Sequence, residues 1–241
     1  MAGTTDQVAD PTRALVVEWS LCGIAAAASR FIPVPLVDDA VKGRATQYAV
    51  HRTLKAHDRT FDEDAVEVLW DGTEGTGGQW LRAIRSVPRR ILFFPVRKYV
   101  AIFGSVRGVP NDVMRVVLLG RTVNRAIARN GWLANGSDPK TLQGEAFRIR
   151  YAYEQVVEYQ DLRLLRGALS DGLSQGRGLT RQAVTYARDA FARDKESRLE
   201  PGGEVQKSAQ DVAAVLRRPE IVEELAEYDR RIDEQLGRAH T

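Results

Sequence analysis

Apolar side chains recur along this chain at helical spacing, and alternating stretches of the kind that make strands are scarce. The first patterned segment opens with Asp10-Pro11, an N-cap followed by an N1 proline, and predicts a helix to about Phe31. Trp19, Leu21, Cys22, Ile24 and the alanines at 25–28 leave it little polar face. Such a helix either lies at the centre of a core or packs against lipid. Glu18 and Arg30 bracket an uncharged run about half as long as a bilayer crossing needs, which favours the core.

Pro33 and Pro35 end that helix, and Asp38 or Asp39 starts a second, running to about His57. Thr60-Phe61-Asp62-Glu63 fits a capping box for a short helix through Trp70. A glycine-rich loop follows at 71–78, then punctuated apolar segments around Pro88 and Pro95, and a helix from 96 to about 106. Residues 112–130 give the clearest amphipathic pattern, closed by Gly131 as the C′ residue. Val113, Val116, Val117, Gly120, Val123 and Ile127 form its apolar stripe, while Arg121, Arg125 and Arg129 stack at one-turn intervals on the other side.

The C-terminal part predicts a helix from 142 to 169, a loop over 171–178 and a helix capped by Thr180 to about Leu199. After the break at Pro201-Gly202-Gly203 come helices over 204–217 and 219–236. Ile221, Leu225, Tyr228, Ile232 and Leu236 make a stripe on the last helix, a face that needs a partner surface. The expected fold is mainly α: a multi-helix bundle, with an N-terminal helical unit at 1–136 and a helical C-terminal extension at 137–241.

Charge sharpens this picture. The net charge of +3 hides a segment, 81–135, with 11 basic side chains and a single acid, Asp112. It is flanked by acidic stretches. The expected anion-binding face is Arg115, Arg121, Arg125 and Arg129, with Met114 and Leu118 falling among the arginines either as apolar wedges or as core. The bland alternative is that the acidic flanks neutralise these arginines within the fold. The last helix carries seven acids and two bases over 219–236, so it could dock on the basic region as a lid, or point outward as a coiled-coil handle for assembly.

Candidate chemistry is sparse. One cysteine, Cys22, and three histidines exclude a disulfide framework and a Cys-rich zinc site. His51 and His57, six apart on a helix, face different directions, so no metal is expected. Neither glycine loop ends in the Gly-Lys-Ser/Thr of a phosphate-binding loop, no nucleophile triad is recognisable, and no cofactor is expected. The N-terminus has no secretory signal, giving a cytoplasmic expectation, at most peripheral to the inner membrane, and the arginine-rich, lysine-poor usage suits a GC-rich bacterial genome.

An apolar helix of small residues, then Ile32-Pro33-Val34-Pro35-Leu36-Val37-Asp38-Asp39, then a basic amphipathic helix resembles the hairpins of bacterial EcsC-like proteins and of apolar-hairpin domains that accompany some bacterial GTPases. The resemblance covers about residues 10–135 and implies membrane-proximal accessory work without catalysis. Three function classes stay open. The leading one is a non-enzymatic scaffold or adaptor whose basic face engages anionic lipid or an acidic protein. A nucleic-acid-binding protein using 81–135 is second, and an enzyme with an unrecognised site is third.

Overall fold

The structure is a computed structural model and describes residues 11–32, 37–71, 106, 108–174, 178–192 and 200–238. The protein is a mainly α multi-helix bundle, with no strand among the described residues. In chain order the helices are α1 (Pro11–Ala28), a 3-10 turn (Ser29–Phe31), α2 (Val37–Ala56), α3 (Glu63–Val66), α4 (Val68–Asp71) and α5 (Val109–Asn130). They continue with α6 (Pro139–Tyr159), α7 (Arg163–Leu173), α8 (Leu179–Ala192), α9 (Gly203–Val215) and α10 (Pro219–Arg238). The glycine-rich loop beyond Asp71, most of the basic segment before 106 and the proline pair at 33 and 35 lie outside the described residues.

The all-round apolar character of α1 follows from its place: it packs against α2, α5, α8 and α9 at once. Small side chains set how closely these helices approach. A Cβ on Gly120 of α5 would stand 2.5 Å from the Trp19 indole, and one on Gly23 of α1 would stand 2.9 Å from the Val113 backbone. The two glycines therefore let α1 and α5 cross nearly backbone to backbone. Trp19 is buried there, and its indole N–H donates to Thr53 Oγ1 of α2 at 2.8 Å. The one polar atom of the Trp19 side chain thus stays satisfied. Cys22 is buried in the same helix, where desolvation pushes its thiol well above the ordinary range and leaves it inert.

Three expected boundaries need correction. The cap of α3 is Asp62, whose carboxylate accepts from Asp64 N, whereas Thr60 is held by Asn135 Oδ1 through its backbone N–H at 2.7 Å. The helix expected over 142–169 begins earlier and is broken. Asp138 caps it ahead of Pro139, accepting from Lys140 N and Thr141 N, and it stops at Tyr159. Gln160 is extended there, and α7 starts anew at Arg163, whose N–H reaches Asp161 Oδ1. Thr180 lies inside α8 rather than capping it, and the expected end near Leu199 lies outside the described residues. Gly131, by contrast, closes α5 as expected, at φ 67° with its N–H on Ile127 O.

Buried side chains from Leu15 of α1 to Leu236 of α10 belong to one continuous core. The helices expected as a C-terminal extension therefore share their core with the N-terminal unit: α8 and α9 cover α1, and α10 rests on α5, α6 and α7.

Candidate functional site

The arginine row of α5 faces α10. Arg121 donates from Nε and Nη2 to the two oxygens of Asp229, both at 2.8 Å. Arg125 bridges two rungs, giving Nη1 to Asp229 Oδ2 at 2.8 Å and Nε and Nη2 to Asp233 at 2.6 Å. Arg129 completes the ladder with Nη1 on Asp233 Oδ2 at 2.8 Å. Arginines one turn apart meet aspartates one turn apart, so the two helices run in the same direction here and their charge rows stay in phase. The guanidinium forks suit paired carboxylate acceptors, which is geometry that a lysine could not supply.

The ladder sits at the rim of an apolar contact. Ile221, Leu225, Tyr228, Ile232 and Leu236 are all buried, so the stripe of the last helix has its partner within this chain. Tyr228 is wholly buried, and its hydroxyl lies 2.7 Å from Thr122 Oγ1 on α5. Thr122 also donates to Leu118 O, which ties the contact to the α5 backbone. Burial raises the Tyr228 phenol, keeping it neutral.

Exposure grades the rungs. The side chains of Arg125 and Asp229 keep only 18% and 13% of their accessible surface, while Arg129 keeps 61%. The inner pair is therefore partly desolvated and the outer pair is screened by water. The hydrogen bonds from Arg125, and then its charge and that of Arg129, hold the Asp233 carboxyl below its ordinary range against opposing desolvation. The same bond to Asp233 raises the Arg125 guanidinium.

The expected anion-binding face is thus divided. Arg121, Arg125 and Arg129 are engaged by α10, and Arg115 is exposed, with its carbonyl accepting from Tyr153 Oη at 3.0 Å. Met114 and Leu118 do not belong to this face: they keep 1% and 0% of their accessible surface and are core residues. The helical period places them beside the arginines, yet α5 is enclosed widely enough that these flanking positions are covered too.

Several working residues were not assigned from sequence. Asp229 and Asp233 counted only toward net charge, although their four-residue spacing matches that of the arginines. Glu224 is another: its Oε2 accepts from Leu165 N at 2.8 Å, so α10 caps the first turn of α7. Gln160 Nε2 reaches Glu224 O at 3.5 Å beside it.

The other candidates have structural places. His51 lies edge-on to the Phe61 and Trp70 rings, with centroids at 4.9 and 5.3 Å, and the His57 ring is 2.8 Å from Asn124 Oδ1. Among the described residues no group of three or more His, Cys, Asp or Glu could hold a metal ion. Among the described residues one helical stretch, Arg13–Phe31, is long and apolar enough to cross a membrane, and 72% of it is buried by the neighbouring helices.

Comparisons with protein-family models, curated proteins and solved structures find no match to this chain.

Proposed function

We propose that the protein is a non-enzymatic helical adaptor whose α5 face recognises an acidic amphipathic helix. Within the chain α10 fills that place, and a partner helix of the same pattern takes it on binding. The observation that carries this reading is the match between the two rows: Arg121, Arg125 and Arg129 against Asp229 and Asp233, flanking a buried apolar seam centred on Tyr228. A protein helix suits this face better than a lipid surface, because Met114 and Leu118 are core side chains and leave no apolar wedge beside the arginines. A helix with carboxylates one turn apart satisfies every fork.

Energetics favour exchange over simple opening. Fully burying five large apolar side chains contributes roughly 1.5–3 kcal/mol each before ordering entropy is charged, so leaving the surface that α5, α6 and α7 present to α10 bare is costly. A partner helix that restores the same contacts removes most of that cost, but it competes with an intramolecular helix at an effective concentration on the order of millimolar. Weakening the ladder shifts the competition.

The test compares the full chain with its D229N/D233N variant by fluorescence anisotropy against a labelled peptide of residues 219–238, anionic vesicles and single-stranded DNA. The expected result is salt-sensitive peptide binding that the variant strengthens about tenfold or more. Binding of vesicles or DNA instead, with no peptide binding, overturns the reading.

A further inference from the structure

The solvent face of α6 has a pattern that the core does not explain. Phe147 and Tyr151 are each 48% exposed, and their rings stack at 6.4 Å between centroids with 13° between planes. At 100° per residue, Lys140, Phe147, Tyr151 and Glu158 fall within about 40° of arc, opposite the buried row of Leu142, Ala146, Ile149 and Tyr153. Lys140 and Glu158 are exposed at the two ends of this line, about 27 Å apart. Neither has an ion-pair partner among the described residues. Gly144, one turn before Phe147, is exposed and has nothing within 4 Å of where its Cβ would stand, which leaves a notch beside the rings.

These positions are symmetric about the level of Ile149. Lys140 and Glu158 are each nine residues from it, Gln143 and Gln155 six, Gly144 and Glu154 five, and Phe147 and Tyr151 two. A two-fold axis at that level, perpendicular to the helix, sets Lys140 opposite Glu158 and brings Phe147 to the level of Tyr151 of an antiparallel copy. It does so twice, as an isologous contact requires. Lys140 and Glu158 meet as opposite charges, and each ring of the pair meets a ring. A parallel copy would instead face Lys140 with Lys140.

We infer that the α6 face is a homodimerisation surface, with a second copy of this chain seated antiparallel across the Phe147–Tyr151 pair. Aromatic side chains at the centre with charged residues at the rim is the usual anatomy of a protein interface. Arg148 lies about 80° round from the middle of the line, where its guanidinium stays in water. A contact of one helix per copy falls below the area of standard interfaces, so the dimer is weak and reversible. It is separate from the α5–α10 contact.

Sedimentation equilibrium of the full chain from micromolar to millimolar concentration tests this. The expected result is a monomer–dimer equilibrium that F147A/Y151A abolishes, with circular dichroism unchanged because both side chains are exposed. K140E and E158K should each weaken the dimer about tenfold, and K140E/E158K together should restore it. Register is read by cross-linking: Lys140→Cys chains mixed with Glu158→Cys chains should form disulfides between the two kinds, and neither should do so alone. Cys22, buried, does not interfere. A monomer at every concentration, a dimer indifferent to these substitutions, or Lys140→Cys chains that cross-link to each other overturns the inference.

Discussion

Arg125 holds more of the α5–α10 contact than its neighbours because it is the only rung bonded to both aspartates and the least exposed of the three arginines. Truncating Asp229 strands Arg121 and half of Arg125, so Asp229→Ala should cost about 2 kcal/mol in chemical denaturation, whereas Arg129→Ala should cost less than about 0.5 kcal/mol. Tyr228→Phe keeps the ring but removes the bond to Thr122, an expected loss of about 1 kcal/mol. Gly120→Ala should cost about 1–3 kcal/mol, since its Cβ has no room beside the Trp19 indole. The Asp233 carboxyl adds a pH dependence. Its folded pKa is depressed, so its contribution is present above the ordinary carboxylate range and is lost as pH falls through the lower folded value. The stability difference between the wild-type chain and Asp233→Asn should therefore be largest above the ordinary carboxylate range and shrink as pH falls below it, through the lower folded value.

At the scale of the helices, α10 is tied down through its stripe to the core, its aspartates and Tyr228 to α5, and Glu224 to the first turn of α7 and to Gln160. Replacing Arg121, Arg125 and Arg129 together by Glu would set like charges against Asp229 and Asp233. The variant should lose α10 docking, visible as a lower melting temperature and faster proteolysis between α9 and α10, rather than only a surface property. The elements themselves were largely legible in the sequence. The 3.6-residue period marked both α5 and α10, and the small-residue composition of 25–28 marked α1 as central. The break at Gln160 was not, because no glycine or proline stands there. Asp161 and Glu224 supply the new start, and Glu224 comes from a helix some sixty residues away. The ladder was half legible: the arginine row and the acidity of 219–236 are plain, but which acids meet which arginines depends on the relative direction of two helices, which periodicity within each does not fix. Met114 and Leu118 illustrate the converse, since position on a helical wheel gives a neighbour's direction but not how much of the helix is enclosed.

Taken as a whole molecule, the bundle places its basic α5 face against its most acidic helix and shares one core from Leu15 to Leu236. The adaptor reading requires that α10 leave this face while the rest of the bundle stays folded, which is a statement about sub-global opening. Native-state amide hydrogen exchange measures that opening directly. The account predicts that amides of 219–238 exchange through an opening of lower free energy than those of α1 and α5, and that raising the salt concentration, which screens the outer rungs, lowers it further. Protection of α10 equal to that of α1 and α5, insensitive to salt, would mean that α10 leaves only when the whole bundle unfolds, and would contradict its role as an exchangeable occupant of the arginine face.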